Sequence, residues 1–233
     1  MNMRKAIQSL EFKDMHFNFE GATQPLFENI SMKLPETKAV WVRSPGGRGK
    51  STLLRILAGL LSPDKGSYLI NGEAVNEMSF EQFLLYRLNM GYGFDMGGLL
   101  NNKSLAENLI LPLLYHKLLP NEEAFEHVQA VTDMFGMQEI RDLRPFGVSG
   151  SFRKLTCVLR AFIHRPQVVF LDDPMTGLKQ DNLNDLYHFV EENFASRTLR
   201  QIFFTSENPE FAHKFGAEEL LISADWFTAR PAA

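Results

Sequence analysis

Residues 39–61 read AVWVRSPGGRGKSTLLRILAGLL: an apolar run, a turn rich in glycine that ends in Gly-Lys-Ser-Thr, and a stretch with helical apolar spacing. A strand, a glycine-rich turn and a helix in that order constrain the fold more than anything else in the chain. Such a turn aims consecutive backbone N–H groups and a helix N-terminus at one point, which suits the oxygens of a phosphate. Gly46, Gly47 and Gly49 stand where the backbone must approach closely or take positive φ. Lys50 then supplies a cation for β- and γ-phosphates, Ser51 a hydroxyl for Mg²⁺, and Thr52 a hydrogen bond to a further phosphate oxygen. Ser44 and Arg48 belong to the same loop. The strict pattern G-x-x-x-x-G-K-[ST] has glycine where Ser44 stands, so strain in the Ser44 backbone is expected. A turn that merely caps an ordinary helix is the alternative; the strand before it and the amphipathic helix after it weigh against that.

A second signal is QVVFLDDP at 167–174, a buried-looking strand that ends in two carboxylates. Alone it reads as a strand running into an Asp-Pro turn. Downstream of GKST it matches the metal-side acid that phosphate-loop NTPases place at the C-terminal edge of a strand, and Asp172 is the candidate.

The 233 residues suit one domain, and 45% hydrophobic with 22% charged residues is ordinary globular usage. A net charge of −4, with Lys and Arg scattered, leaves no footprint for nucleic acid. The single Cys157 can form neither an internal disulfide nor a thiolate metal site, which fits a reducing compartment. The N-terminus MNMRKAIQSLEF lacks a signal-type apolar run and LILPLLY at 109–115 is too short to span a bilayer, so a soluble cytoplasmic chain is expected.

Partial period-2 alternation over 10–19 predicts an antiparallel strand, with an apolar-polar mix continuing to Leu34. Short apolar runs at 39–43, 167–171, 201–205 and 219–223 predict buried parallel strands. Helical spacing falls at 51–61, 79–88, 104–118, 121–135, 152–164 and 178–194. The expected fold is α/β: a phosphate-loop NTPase with a mainly parallel core sheet, an N-terminal antiparallel β-subdomain and an inserted helical subdomain. As a single domain over 1–233, its nucleotide lobe would take about 1–94 and 158–233, and the helical subdomain about 95–157.

The order SPGGRGKST, VSGSF at 148–152, LRAFIHRPQVVFLDDPMTGL at 159–178 and IFFTSEN at 202–208 resembles an ATP-binding-cassette (ABC) ATPase across nearly the whole chain. The resemblance implies that Phe19 stacks on adenine and that Ser149 and Gly150, in the signature motif, face the γ-phosphate of a nucleotide held by a second subunit. It implies that Asp173 stands where a catalytic glutamate polarises water, Ser206 where a switch histidine contacts the γ-phosphate, and Asp95 where a glutamine meets Mg²⁺ and the transport partner. Ser151 and Phe152 replace the signature's second glycine and glutamine, and Lys179 replaces a carboxylate that crosses the dimer interface. Five altered positions, Asp95, Ser151, Asp173, Lys179 and Ser206, serve hydrolysis or dimer closure in that family, whereas Lys50, Ser51, Thr52 and Asp172 keep their types. Retained Mg·ATP binding with weakened turnover is the resulting expectation.

The partners so implied are a membrane-spanning transporter subunit and a second ABC subunit, identical or not, with the chain peripheral on the inner face of the cell membrane. The segment GGLLNNKSLAENLILPLLYHK at 97–117 is similar to the corresponding region of subunits of bacterial lipid and organic-solute trafficking systems, although Leu105, Leu109, Leu113 and Leu114 read as packing of the helical subdomain in preference to docking of a membrane partner. Three alternatives stay open: a catalytically silent ATP-binding module of an assembly, a scaffold that holds no nucleotide, and a phosphate-loop kinase of small molecules.

Overall fold

The computed structural model describes residues 4–95 and 98–231. Residues 1–3 of the N-terminal stretch, Gly97 at the head of the 97–117 segment and the last two residues of the 1–233 span lie outside the described residues. An antiparallel sheet opens the chain. Strand β1 (Leu10–Phe17) pairs with β2 (Phe27–Lys33) on one side and β4 (Lys65–Ile70) on the other, and β5 (Glu73–Ala74) extends the far edge.

The second sheet has six strands. β3 (Ala39–Arg43) lies between β8 (Gln201–Thr205) and β9 (Glu218–Ile222), and β7 (Val168–Leu171) lies between β8 and β6 (Met90–Gly93); all these pairs are parallel. Only β10 (Phe227–Pro231), on the edge beyond β9, runs antiparallel. Parallel strands covered on both faces need apolar side chains at successive positions. β7 and β8 are buried at every residue. Along β7, Val168 and Phe170 enter the core beneath the antiparallel sheet, while Val169 and Leu171 enter the core formed with the helices on the other face.

Helix α1 (Lys50–Leu57) fills the first core, and α2 (Phe80–Arg87) leads into β6. Between β6 and β7 the chain forms α3 (Leu105–Tyr115), α4 (Asn121–Met134) and α5 (Gly150–Phe162); α6 (Gln180–Ala195) and α7 (Glu210–Phe215) complete the second layer. Capping boxes, Ser79 with Gln82 and Ser104 with Glu107, start α2 and α3 by satisfying N–H groups that a helix leaves unpaired. The α/β expectation therefore holds, with an antiparallel sheet first and a mostly parallel sheet behind it.

One contact sets how α5 lies on the sheet. A Cβ at Gly91 of β6 would come within 1.9 Å of the Ala161 carbonyl oxygen, so the absence of a side chain brings the end of α5 against the strand backbone. Just beyond, His164 is half-buried and its Nε2–H donates to the Met90 carbonyl at 2.9 Å. Nδ1 has no hydrogen-bond partner, and burial, aided by Arg4 and Arg87, pushes the imidazole down to about 4. A histidine kept neutral in the folded state but free to protonate when unfolded makes the fold lose stability as pH falls from about 6.5 to about 4, by up to about 3 kcal/mol. Urea denaturation at pH 7 and pH 4.5 should show that loss, and His164→Gln, which can still donate to Met90, should remove much of it.

Candidate functional site

The C-terminal ends of β3, β7 and β8 converge where open α/β sheets form their ligand sites. From β3 the chain turns through Gly46 and Gly47, both at φ 73°, and Gly49 at φ 85°, into α1. A Cβ at Gly49 would come within 2.8 Å of the Phe27 ring, so the turn rests on β2 with no room for a side chain. Ser44 is extended, at φ −143° and ψ 132°, and its carbonyl accepts from Gly47 N at 3.0 Å. The strain expected of a serine there is absent, because no left-handed conformation is demanded at that position.

The core of the site is a hydroxyl–carboxylate cluster. Ser51 Oγ and Thr205 Oγ1 each donate to Asp172 Oδ1 at 2.9 Å. Thr205 Oγ1 also accepts from the Asp173 backbone N–H at 2.9 Å, so one hydroxyl orients both residues after β7. Asp173 is held at φ 44°, a left-handed conformation that aspartate tolerates better than most residues, and its Oδ1 is buried with no hydrogen-bond partner. The Asp172 charge reaches Tyr92, whose hydroxyl is pushed up to about 12 by burial first and by that carboxylate second.

Lys50, with its side chain 15% exposed, is paired to Glu207 in the loop after β8. The Lys50 ammonium in turn holds the Glu207 carboxyl below its usual range. Ser206, beside it, is buried and locally engaged: its Oγ accepts from Asn208 N at 3.0 Å and its carbonyl from Trp41 Nε1 at 3.1 Å. Asp95 is turned to Lys154, 3.1 Å from Oδ1 to Nζ.

Phe19 is 48% exposed and lies edge-on to Phe17. It lines a cavity of about 420 Å³ together with Ser44, Pro45 and Arg48, so the exposed ring and the glycine-rich turn share one recess. Thr52 is buried on the first turn of α1. Ser149 and Gly150 lie apart from this group, exposed at the start of α5, where Ser149 Oγ caps Phe152 N at 3.5 Å. Ser151 is turned inward, its Oγ accepting from Lys179 N at 3.1 Å and Asn182 Nδ2 at 3.2 Å. Lys179 is exposed at the N-cap of α6.

The donor set fits Mg²⁺. Among the described residues no group of three His, Cys, Asp or Glu side chains is assembled for a metal. Ser51 Oγ and Asp172 Oδ1 instead offer two adjoining oxygens, and Mg²⁺ characteristically takes few protein ligands and completes its shell with water and phosphate. Thr205, Glu207 and Lys154 escaped the sequence reasoning as site residues. Of these, Lys154 carried a signal, a cation at helical spacing among apolar positions of α5.

The family model described as ABC transporter matches residues 27–176. The chain is 26% identical over 193 residues to the intermembrane phospholipid transport system ATP-binding protein MlaF of Escherichia coli K12, covering 83% of this chain and 72% of that one. It is 30% identical over 184 residues to the ABC transporter ATP-binding protein YxdL of Bacillus subtilis, covering 78% and 71%. A dimeric post-hydrolysis structure of the ATP-binding cassette MJ0796 bound to ADP and Pi superposes with TM-score 0.82 over 95% of this chain and 98% of that one, at 18% identity.

Because Ser44 is extended and Gly49 is not, the two positions should respond differently to substitution. Ser44→Gly should leave ATP affinity within about twofold. Gly49→Ala, which adds both a disfavoured φ and a clash with Phe27, should abolish it, as read by titration with a fluorescent ATP analogue.

Proposed function

This chain belongs to the ABC transporter family of ATP-binding subunits, and on that premise we propose that it binds Mg·ATP at the glycine-rich turn and hydrolyses it slowly. The observation that carries this is the Ser51–Asp172–Thr205 cluster at the start of α1, which places a hydroxyl and a carboxylate beside the lysine that would meet the phosphates. The backbone N–H groups of Gly46, Arg48, Gly49 and Lys50 and the Lys50 ammonium would bind the phosphates, and Thr52 would add a hydrogen bond. Phe19 would stack on the base with Arg48 and Ser44 alongside. Ser51 and Asp172 would hold Mg²⁺, which when bound neutralises phosphate charge.

For hydrolysis, Asp173 is the carboxylate that would orient water, and its Oδ1, buried and without a hydrogen-bond partner, is the acceptor that would turn to it. Its side chain is one methylene shorter than glutamate, and a misplacement of about 1 Å in a catalytic group lowers a rate by about a hundredfold. Ser206, engaged by Asn208, gives little help at the γ-phosphate. Ser149 and Gly150, exposed at the N-terminus of α5, would meet the nucleotide of a second ABC subunit, identical or not. A membrane-spanning subunit would be the further partner, with the chain cytoplasmic and peripheral to the membrane. No helix among the described residues is long and apolar enough to cross a membrane. The similarity to MlaF points to lipid or organic-solute systems for that partner. The division into a nucleotide lobe and a helical subdomain at 95–157 belongs to the same proposal.

A catalytically silent ATP-binding module is the second reading, favoured by Ser206, which has no imidazole to offer the γ-phosphate. Phosphate release separates the two. Slow release by the wild type that falls about tenfold or more in Asp173→Asn supports hydrolysis; equal release from both proteins, at background, leaves only binding. Nucleotide must also displace Glu207 from Lys50. Glu207→Gln is therefore expected to tighten ATP binding about twofold to fivefold, since exposed ion pairs contribute little.

A further inference from the structure

Lys154 sits one turn into α5 and faces inward, 8% exposed; among the described residues no other lysine is buried. Its ammonium donates to the Asp95 carbonyl at 2.6 Å, to Asp95 Oδ1 at 3.1 Å and to the Asp172 carbonyl at 3.4 Å. Three acceptors match the three donors of an ammonium, and the carboxylate compensates a charge that would otherwise be expensive to bury. Asp95 follows β6 and Asp172 follows β7, while α5 starts at the exposed Ser149. One side chain therefore joins the ends of two neighbouring strands to the helix. The side of Asp172 facing away from Lys154 is the carboxylate that accepts from Ser51 and Thr205.

We infer that Lys154 is a positioning residue: it clamps Asp95 to the Asp172 strand and withholds the Asp95 carboxylate from the cation that Ser51 and Asp172 would hold. This rests on the Mg·ATP reading above. The resemblance to ABC ATPases implied Asp95 as a ligand of Mg²⁺, but the ammonium at 3.1 Å takes that carboxylate as its own partner. The buried cation also adds a positive charge close to the metal side, which opposes a second one.

The test is a Mg²⁺ titration of the binding of a fluorescent ATP analogue to wild type, Asp95→Asn, Lys154→Gln and the double variant. Lys154→Gln should lower the half-saturating Mg²⁺ concentration about fivefold or more, because it both removes a charge and frees a carboxylate. Asp95→Asn alone should stay within about twofold of wild type, and adding it to Lys154→Gln should take back most of the gain, the non-additivity expected of coupled groups. A clear rise of the midpoint in Asp95→Asn alone, or an unchanged midpoint in Lys154→Gln, overturns the inference; if Lys154→Gln does not fold, Asp95→Asn decides. Hydrogen exchange over residues 90–95 in the nucleotide-free protein reads the clamp with no ligand present. Exchange should quicken in Lys154→Gln and stay at the wild-type rate in Lys154→Arg, and unchanged exchange in Lys154→Gln overturns the clamp. Failure of wild type to bind ATP at all would instead overturn the Mg·ATP reading, with the exchange experiment still judging the clamp.

Discussion

One carboxylate oxygen, Asp172 Oδ1, accepts hydrogen bonds from Ser51 at the start of α1 and from Thr205 at the end of β8, and through Thr205 it is linked to the backbone of Asp173. Three chain segments meet on that atom, Ser51 from 121 positions before it and Thr205 from 33 positions after it. They can meet only because β7 lies beside β8 and β8 beside β3, so that consecutive strand ends deliver the acid, the threonine and the glycine-rich turn to one edge. The strand order in turn depends on two apolar layers filling both faces of the sheet, which makes burial the larger energetic term and the hydroxyl–carboxylate cluster the one that gives direction.

The polar groups around that cluster are mostly engaged with one another. Lys50 is paired to Glu207, Asp95 to Lys154, Ser206 to Asn208, and Ser151 to the start of α6. Without such a partner are the buried Oδ1 of Asp173 and the exposed ring of Phe19. Such a distribution suits a site arranged to hold a phosphate compound. At Ser151 and Asp95 the polar side chain has a structural partner within the chain.

The elements that the sequence made legible are those with a local cause. The strands at 39–43 and 201–205 were readable to the residue because both faces are buried and apolar runs announce that. The six predicted helices differ from the observed ones by a few residues at their ends, where capping rather than periodicity decides. β6, Met90–Gly93, was not legible: a four-residue strand with two glycines has weak propensity and exists because Gly91 lets α5 lie against it. β10, which ends in a proline on the sheet edge, and the six-residue α7 are too short or too polar to stand out. Within the site, GKST and LDDP were visible as contiguous motifs. The roles of Thr205, Lys154 and Glu207 were not, since each depends on a partner 32, 59 or 157 positions away. Ser44 shows the opposite failure: residue type alone suggested strain, and only the backbone angle removes it.

All of this turns on whether the turn and its lysine hold a nucleotide. Thermal unfolding of wild type and Lys50→Ala with and without Mg·ATP measures that directly. At about a hundredfold excess of ligand over its Kd, a bound nucleotide stabilises the fold by about 2.7 kcal/mol, which should raise the wild-type midpoint by about 5 °C or more and leave Lys50→Ala unmoved. An unmoved wild type, or an equal rise in both proteins, would contradict the account.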